Sequence, residues 1–80
     1  MTLREAVAKR TLKLLKEKNM TRYRLERKSG IIHGALDSIL NGNSKTVTLT
    51  TIYRLARGFD ITIYDFLDDD MFRSQDLEID

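Results

Sequence analysis

The sequence predicts an all-α fold, a compact bundle of five helices in one small domain of 80 residues. Apolar residues recur three and four positions apart through most of the chain, a spacing that places them on one face of a helix. Proline is absent, as suits helices joined by short turns. Glycine or asparagine follows several of the apolar repeats, where a helix would end.

The first helix is predicted to begin after Thr2, because Thr2 and Glu5 have the spacing of a capping box. One face carries residues suited to a core: Leu3, Val7, Thr11, Leu14 and Leu15. The other faces carry basic residues: Lys9, Arg10, Lys13, Lys16 and Lys18. The helix is expected to close near Lys18 and Asn19, since cations are favourable at a helix C-terminus.

The second helix is predicted to be short, with Thr21 as its N-cap and residues 22–28 as its body. Gly30 ends it, because glycine adopts the left-handed conformation that other residues resist. A third helix follows, with Leu36, Ile39 and Leu40 on one face, and residues 41–42 (Asn-Gly) end it.

The fourth helix is predicted after the polar loop 42–48, with Thr48 as its N-cap. Its buried stripe comprises Leu49, Ile52, Leu55, Ala56 and Phe59. Asp60 tolerates the turn that follows. Thr62 and Asp65 have capping-box spacing again and begin a fifth helix. The fifth helix places Ile63, Phe66 and Leu67 inside.

Charge divides the chain into a basic front and an acidic end. Residues 1–30 carry a net charge of +7 and residues 61–80 one of −6. Such asymmetry indicates an anionic partner for the basic part, although a solvated helix face explains it equally well. We therefore predict a domain over residues 1–70 and an acidic tail over residues 71–80. The tail is expected to be only partly ordered, with Met71, Phe72 and Leu77 as its anchors wherever it docks.

Composition argues against several other classes of protein. Cysteine is absent and histidine occurs once, so neither a thiolate zinc site nor a multi-histidine site is expected. No nucleophile, base and orienting group can be named together, so we expect no enzyme and no cofactor. The three aspartates at residues 68–70 are interpreted as a solvated helix end rather than a cation site. A cytoplasmic protein without membrane segment or small-molecule substrate is expected.

The spacing over residues 21–42 is that of a helix-turn-helix. Gly30 lets the chain reverse, and Leu25, Ile31, Leu36 and Ile39 hold the two helices together. The outward face of the later helix is then small and polar, comprising His33, Gly34, Asp37, Ser38 and Asn41. Such a face suits the major groove of DNA, although helical hairpins also occur in many other bundles.

The ordered set of motifs over about residues 3–68 resembles the phage repressor and Cro-like (XRE-type) helix-turn-helix domains. The matching residues are Met20, Thr21, Tyr23, Leu25, Ser29, Gly30, Ile31, Leu36, Ile39, Asn41, Gly42, Leu49, Ile52, Leu55, Ala56, Thr62, Phe66 and Leu67. The resemblance implies a transcriptional regulator, commonly a repressor, whose third helix enters the major groove of double-stranded DNA. It also implies a homodimer on a pseudo-palindromic operator.

The resemblance also assigns roles to individual residues. It implies base-reading positions at His33, Gly34 and Ser38, with Asp37 beside them. It implies phosphate contacts at Thr21, Arg22, Asn41, Lys45, Thr46 and Thr48. Charged side chains, hydroxyl groups and the free N–H groups of a helix N-terminus are all chemically suited to phosphate oxygens.

Four residues depart from the pattern of these domains. Glu26 stands where a small residue is usual, and it is expected to reach solvent or to pair with Arg22 or Arg27. Gly34 supplies no side chain to read a base, Asp37 would repel phosphate, and Val47 stands where proline is common. Gly34 and Asp37, together with the acidic tail, favour the alternative function: a protein-interaction module on the same fold, such as an antitoxin-like or anti-repressor subunit.

Overall fold

The computed structural model describes residues 1–44 and 47–79 and confirms the all-α prediction. This part of the chain folds into α1 (Leu3–Glu17), α2 (Arg22–Ser29), α3 (His33–Leu40), α4 (Leu49–Gly58) and α5 (Ile63–Leu67). A short 3₁₀ helix, Asp70–Phe72, follows α5. None of the helices described combines the length and apolar character that a membrane crossing needs.

Threonine hydroxyls begin four of the five α-helices, as predicted. Each hydroxyl oxygen accepts a hydrogen bond from the backbone N–H three residues later, at 3.2 Å for Thr2, 3.1 Å for Thr21, 3.2 Å for Thr48 and 3.0 Å for Thr62. At Thr2 the predicted capping box is complete, because the Thr2 N–H also donates to the Glu5 carboxylate at 2.9 Å. At Thr62 only the hydroxyl half of the box forms among the residues described.

Left-handed residues end the helices or turn the chain after them. Gly30 follows α2 with φ 75°, as predicted, and its N–H donates to the Glu26 carbonyl at 3.0 Å. Gly42 lies beyond α3 with φ 71°, and Asp60 beyond α4 with φ 60°. The connections between the helices are therefore short, and they hold α2 and α3 in a fixed relation.

The core consists of apolar side chains from all five α-helices and their connections. Its fully buried members include Val7, Leu25, Leu36, Leu55, Phe59 and Phe66. The predictions for Leu3 and Leu49 were wrong, since these side chains are 43% and 67% exposed. Both stand at the first position of a helix, one turn before the helix reaches the core. Leu67, in the last position of α5, is also exposed.

Gly58 brings α4 close to α2. A Cβ atom added at Gly58 would lie 2.6 Å from Cδ1 of Leu25 and 3.1 Å from Cβ of Ser29. Distances this short leave no space for any other residue without movement of the neighbours. The contact fixes α2 against α4 and so supports the first half of the helix-turn-helix.

The prediction that Arg10 lies on a solvated face of the first helix was wrong. Arg10 is 8% exposed, and its guanidinium donates to the carbonyl oxygens of Phe66 (Nε, 2.7 Å) and Asp65 (Nη2, 2.9 Å). A third donor, Nη1, lies 3.4 Å from the Asp69 carboxylate. Arg10 thus gives the Phe66 carbonyl near the end of α5 a hydrogen-bond donor, and it gives a second donor to the Asp65 carbonyl, which also accepts from the Asp68 N–H at 3.2 Å.

The chain after α5 packs back on the domain over the residues described. Phe72 packs against the core, with its ring centroid 6.3 Å from that of Phe66. Further along, the Leu3 N–H donates to the Glu78 carbonyl at 3.0 Å, and the Glu78 N–H donates to the Met1 carbonyl at 3.1 Å. Met71 and Leu77 are half-buried. All three predicted anchors are therefore in contact with the domain or partly covered by it.

Candidate nucleic-acid interface

The turn between α2 and α3 places α3 with one face in the core and the other in solvent. Leu36, Ile39 and Leu40 are buried, and Ile31 covers the turn. The Ser29 hydroxyl accepts a hydrogen bond from the Ile31 N–H at 3.1 Å, which fixes the chain as it leaves α2. Because positions three and four apart share a helix face, the remaining residues of α3 form one outward surface.

The four predicted base-reading residues all lie on this outward surface. His33 is the first residue of α3, with 80% of its side chain exposed. Gly34 and Asp37 are exposed, and Ser38 is half-buried. The structure therefore brings together, on one face about two turns long, the residues that the sequence assigned to base reading.

Gly34 is not required by packing. A Cβ atom added there would meet nothing within 4 Å, and its backbone conformation is an ordinary helical one. Its effect is to leave the surface of α3 open between His33 and Ser38.

At Ile32, the N-cap of α3, the described residues provide no side-chain cap for the N–H groups of the first turn. A helix start of this kind attracts anions.

The predicted phosphate-contacting residues flank this surface where the structure describes them. Thr21 and Arg22 lie at the start of α2, Asn41 directly follows α3, and Thr48 begins α4. The hydroxyl oxygens of Thr21 and Thr48 accept N-cap hydrogen bonds, and each hydroxyl group also has a hydrogen to donate. The Thr48 hydroxyl shares a hydrogen bond of 3.2 Å with the Thr51 hydroxyl, in which either group can be the donor. The other two predicted contacts, Lys45 and Thr46, lie outside the described residues.

Asp37 is held between two of the predicted phosphate contacts. Its carboxylate lies 3.6 Å from Nη1 of Arg22 and accepts a hydrogen bond from Nδ2 of Asn41 at 3.3 Å. Both sides of the ion pair are about half exposed, so water and salt weaken it. Arg22 nevertheless offsets the negative charge that Asp37 brings to the surface.

Glu26 corrects the prediction that it pairs with Arg22 or Arg27 or reaches solvent. Its carboxylate oxygen Oε2 lies 3.0 Å from Nδ1 of His33, and only 18% of its side chain is exposed. Arg27 lies instead over the ring of Tyr23, 5.8 Å from the ring centroid, and donates to the Tyr23 hydroxyl at 3.1 Å. The hydrogen bond that Glu26 accepts from His33, together with the charge of Glu26, raises the pKa of His33 above the ordinary histidine value.

Arg54 is a candidate that the sequence analysis missed. It is exposed on α4 and lines a hollow of about 590 Å³ between α3 and α4, which Ser38 and Ala35 also line. Arg54 therefore borders the outward surface of α3 from the side of α4. The signal in the sequence was the pair of arginines three apart, Arg54 and Arg57, on the polar side of the fourth helix's apolar stripe.

Comparison with known proteins gives one match, to a protein family. The model of the Cro/C1-type HTH DNA-binding domain matches residues 12–70, which include all of α2 to α5 and the second part of α1, from residue 12 onward. No curated protein matches the chain, and neither does any solved structure. The matched region contains the α2–turn–α3 unit and every residue of the surface described above. The chain therefore belongs to the family of Cro/C1-type helix-turn-helix DNA-binding domains.

Proposed function

We propose that this protein is a sequence-specific regulator of transcription that binds double-stranded DNA and reads the major groove with α3. The observation that carries the proposal is the polar outward surface of α3, flanked by the starts of α2 and α4. In this arrangement His33, Asp37 and Ser38 face base edges while Arg22 and Thr48 face the sugar-phosphate backbone on either side.

We further propose that the protein acts as a repressor and as a homodimer on a pseudo-palindromic operator. An α3 surface about two turns long reaches only a few base pairs, so a second copy supplies the rest of the operator. DNA binding requires no cofactor in this proposal, because charge and hydrogen bonds supply the affinity and the specificity.

Selection from a random duplex library, followed by salt titration of the selected DNA, tests the proposal. We expect one recurring, roughly palindromic sequence, and a log–log slope of affinity on salt near −0.9 for each phosphate neutralised. If no sequence is enriched and the affinity for duplex DNA does not depend on salt, the DNA-binding proposal is contradicted.

Four alanine variants then separate positioning from base reading. Arg22→Ala and Lys45→Ala are expected to weaken binding to all duplexes alike and to reduce the salt slope by about one per subunit. His33→Ala and Ser38→Ala are expected to cost about 1–3 kcal/mol on the selected sequence and little on random DNA. Equal binding by the parent and all four variants would show that α3 is not in the groove.

Asp37 favours a second candidate function, a protein-interaction module on the same fold. A carboxylate on the outward surface of α3 repels phosphate but attracts a basic patch on a protein partner. This function is the one supported if the library selection fails while the fold of the protein is intact.

A further inference from the structure

The His33–Glu26 contact joins the outward surface of α3 to a partly buried carboxylate of α2. Nδ1 of His33 lies 3.0 Å from Oε2 of Glu26, and the imidazole is 80% exposed whereas the Glu26 side chain is 18% exposed. The other ring nitrogen, Nε2, has no partner among the residues described. Glu26 therefore holds one edge of the ring, and the opposite edge is available to a ligand of the α3 surface.

The chemistry of the pair determines what Nε2 offers. An ionised carboxylate only accepts hydrogen bonds, so Nδ1 must carry a hydrogen in both charge states of the ring. When the imidazole is neutral, Nε2 is then an acceptor, and when it is charged, Nε2 carries a hydrogen and is a donor. Without Glu26 the neutral ring could take either tautomer, and the link between charge and hydrogen-bonding character would be lost.

The groups around His33 come from both helices of the motif. Glu26 on α2 favours the charged imidazole through its hydrogen bond and its charge, and Asp37 on α3 adds a weaker attraction. Arg22 on α2 opposes it, as does the positive end of α3, where His33 stands. The net result is that the pKa of His33 is raised, so the charged ring persists to higher pH than that of an isolated histidine.

We propose that Glu26 is a positioning residue that makes His33 a base reader whose preference depends on its charge. The proposal rests on the DNA-binding function proposed above. The charged ring donates from Nε2 to an acceptor on a base edge, such as N7 or O6 of guanine. The neutral ring accepts at Nε2 from an amino group, such as that of adenine or cytosine.

A pH titration of the free protein tests the first step. Histidine occurs once in the chain, so the ring signals in an NMR titration belong to His33 without ambiguity. The pKa is expected to fall in Glu26→Gln, which keeps the shape of the side chain and removes its charge. Glu17→Gln removes an exposed carboxylate from α1 and is expected to leave the pKa of His33 unchanged. Equal titration of parent and Glu26→Gln would overturn the proposal.

Library selection at pH 6 and at pH 8.5 tests the second step. We expect one position of the operator to change its preference from guanine to adenine or cytosine by about tenfold between the two pH values. In Glu26→Gln the neutral ring can take either tautomer, because an amide both accepts and donates, so the change in preference is expected to become smaller and its midpoint to move to lower pH. His33→Gln does not titrate in this range, and in this variant the change is expected to disappear. Because the pKa values of Glu5, Asp60 and Asp69 are lowered, these acids stay ionised throughout.

The outcomes of these selections distinguish the proposal of DNA binding from the proposal of charge-dependent base reading by His33. If the parent selects one operator with the same base preference at both pH values, Glu26 and His33 do not form a charge-dependent reader, although DNA binding stands. If pH changes the affinity for all sequences alike, His33 contacts phosphate and the base-reading role is overturned. If no duplex is selected at either pH, the DNA-binding function fails, and the base-reading role fails with it.

Discussion

At the scale of single residues, the two ionisable side chains on the outward surface of α3, His33 and Asp37, are each paired with a side chain of α2. Arg22 lies beside Asp37, and Glu26 holds His33, so two residues of α2 each contact a predicted base reader on α3. If Arg22 contacts phosphate and Asp37 contacts a base, as proposed, the two contacts are coupled through this ion pair. Substitutions within a pair are expected to be non-additive.

Asp37 is expected to weaken the attraction of this surface for phosphate. Asp37→Ala removes that repulsion and frees Arg22 from its ion pair, so binding to random duplex DNA should strengthen about threefold at low salt. Asp76→Ala makes the same change of charge in the exposed tail and is expected to have a smaller effect. Fluorescence anisotropy on a random duplex measures both variants. Equal affinities for the two would show that the position of Asp37 does not matter.

The residues that the sequence predicted correctly are those whose role depends on near neighbours in the chain. The threonine caps and Gly30 belong to this group, because each is recognised from a spacing of three or four residues. The Glu26–His33 contact depends on how α2 and α3 cross, which no local spacing encodes. For Arg10 the two signals disagree, because its charge indicates exposure whereas its spacing indicates burial. Positions 7, 10 and 14 lie on one face of α1, and Arg10 is buried there with Val7 and Leu14.

At the scale of the elements, the apolar stripes predicted the type of each helix better than its buried extent. Leu3 and Leu49 continue the periodic pattern of α1 and α4 but stand in a first turn that the core does not cover. Periodicity shows which face of a helix is apolar, whereas its burial depends on where the neighbouring helices cross it. The crossing of α2 and α4 at Gly58 is such a tertiary feature.

Two glycine substitutions with opposite expected effects test this packing. Gly58→Ala places a Cβ atom 2.6 Å from Leu25 Cδ1 and 3.1 Å from Ser29 Cβ, so we expect a loss of about 1–2 kcal/mol in the free energy of unfolding. Gly34→Ala meets no neighbour within 4 Å and is expected to gain about 0.5 kcal/mol from the helix preference of alanine. Urea denaturation measures both. If Gly58→Ala leaves the free energy of unfolding unchanged, α2 and α4 can move apart without cost.

The end of α5 is held by charge as well as by packing, and this gives a prediction about pH. The Asp69 carboxylate lies 2.7 Å from Nζ of Lys13 and 3.4 Å from Nη1 of Arg10, and it accepts from the Met71 N–H at 3.0 Å. The hydrogen bond from Lys13, followed by that from Met71, lowers the pKa of Asp69. Asp69→Asn is expected to reduce the free energy of unfolding by about 1–2 kcal/mol at pH 7.

The sign of the pH effect follows from the lowered pKa of Asp69. The stabilisation is complete above the pKa of the unfolded chain, about 4, and is lost as the pH falls through the lower value of the folded protein. Denaturation curves of parent and Asp69→Asn should therefore differ by a constant amount above about pH 5 and converge in acid. Asp68→Asn, in a half-exposed pair with Arg73, is the control and should cost less. A difference that does not shrink in acid would exclude the ionised carboxylate as its source.

At the scale of the whole molecule, the basic front part of the chain and its acidic end are in contact with each other. Acidic residues of the last third pair with cations of the front, as Asp69 does with Lys13 and Asp60 with Lys28. The Glu78 backbone also bonds the first residues of the chain. We propose that residues 71–80 act as an acidic tail that lowers the affinity of the basic surface for DNA.

Deletion of residues 73–80 tests the role of the tail. It removes one arginine and three acids, a net charge of −2, and it retains both Phe72, which packs against the core, and Asp69, which pairs with Lys13. We expect the domain to remain folded with a loss of about 1–2 kcal/mol, because backbone hydrogen bonds to Glu78 are lost. Binding to random duplex DNA should strengthen, and more so at low salt, because repulsion between the tail and phosphate is removed.

A double variant separates the charge of the tail from its docking. Asp76→Asn with Glu78→Gln changes the net charge by the same amount as the deletion but keeps the backbone hydrogen bonds of Glu78. If charge is the cause, the double variant should bind random DNA as tightly as the truncated protein while keeping the stability of the parent. Circular dichroism, denaturation and anisotropy at two salt concentrations measure these quantities. A truncated protein that is unfolded, beside a folded double variant, would show that the tail is a structural part of the domain and that its boundary lies beyond residue 70.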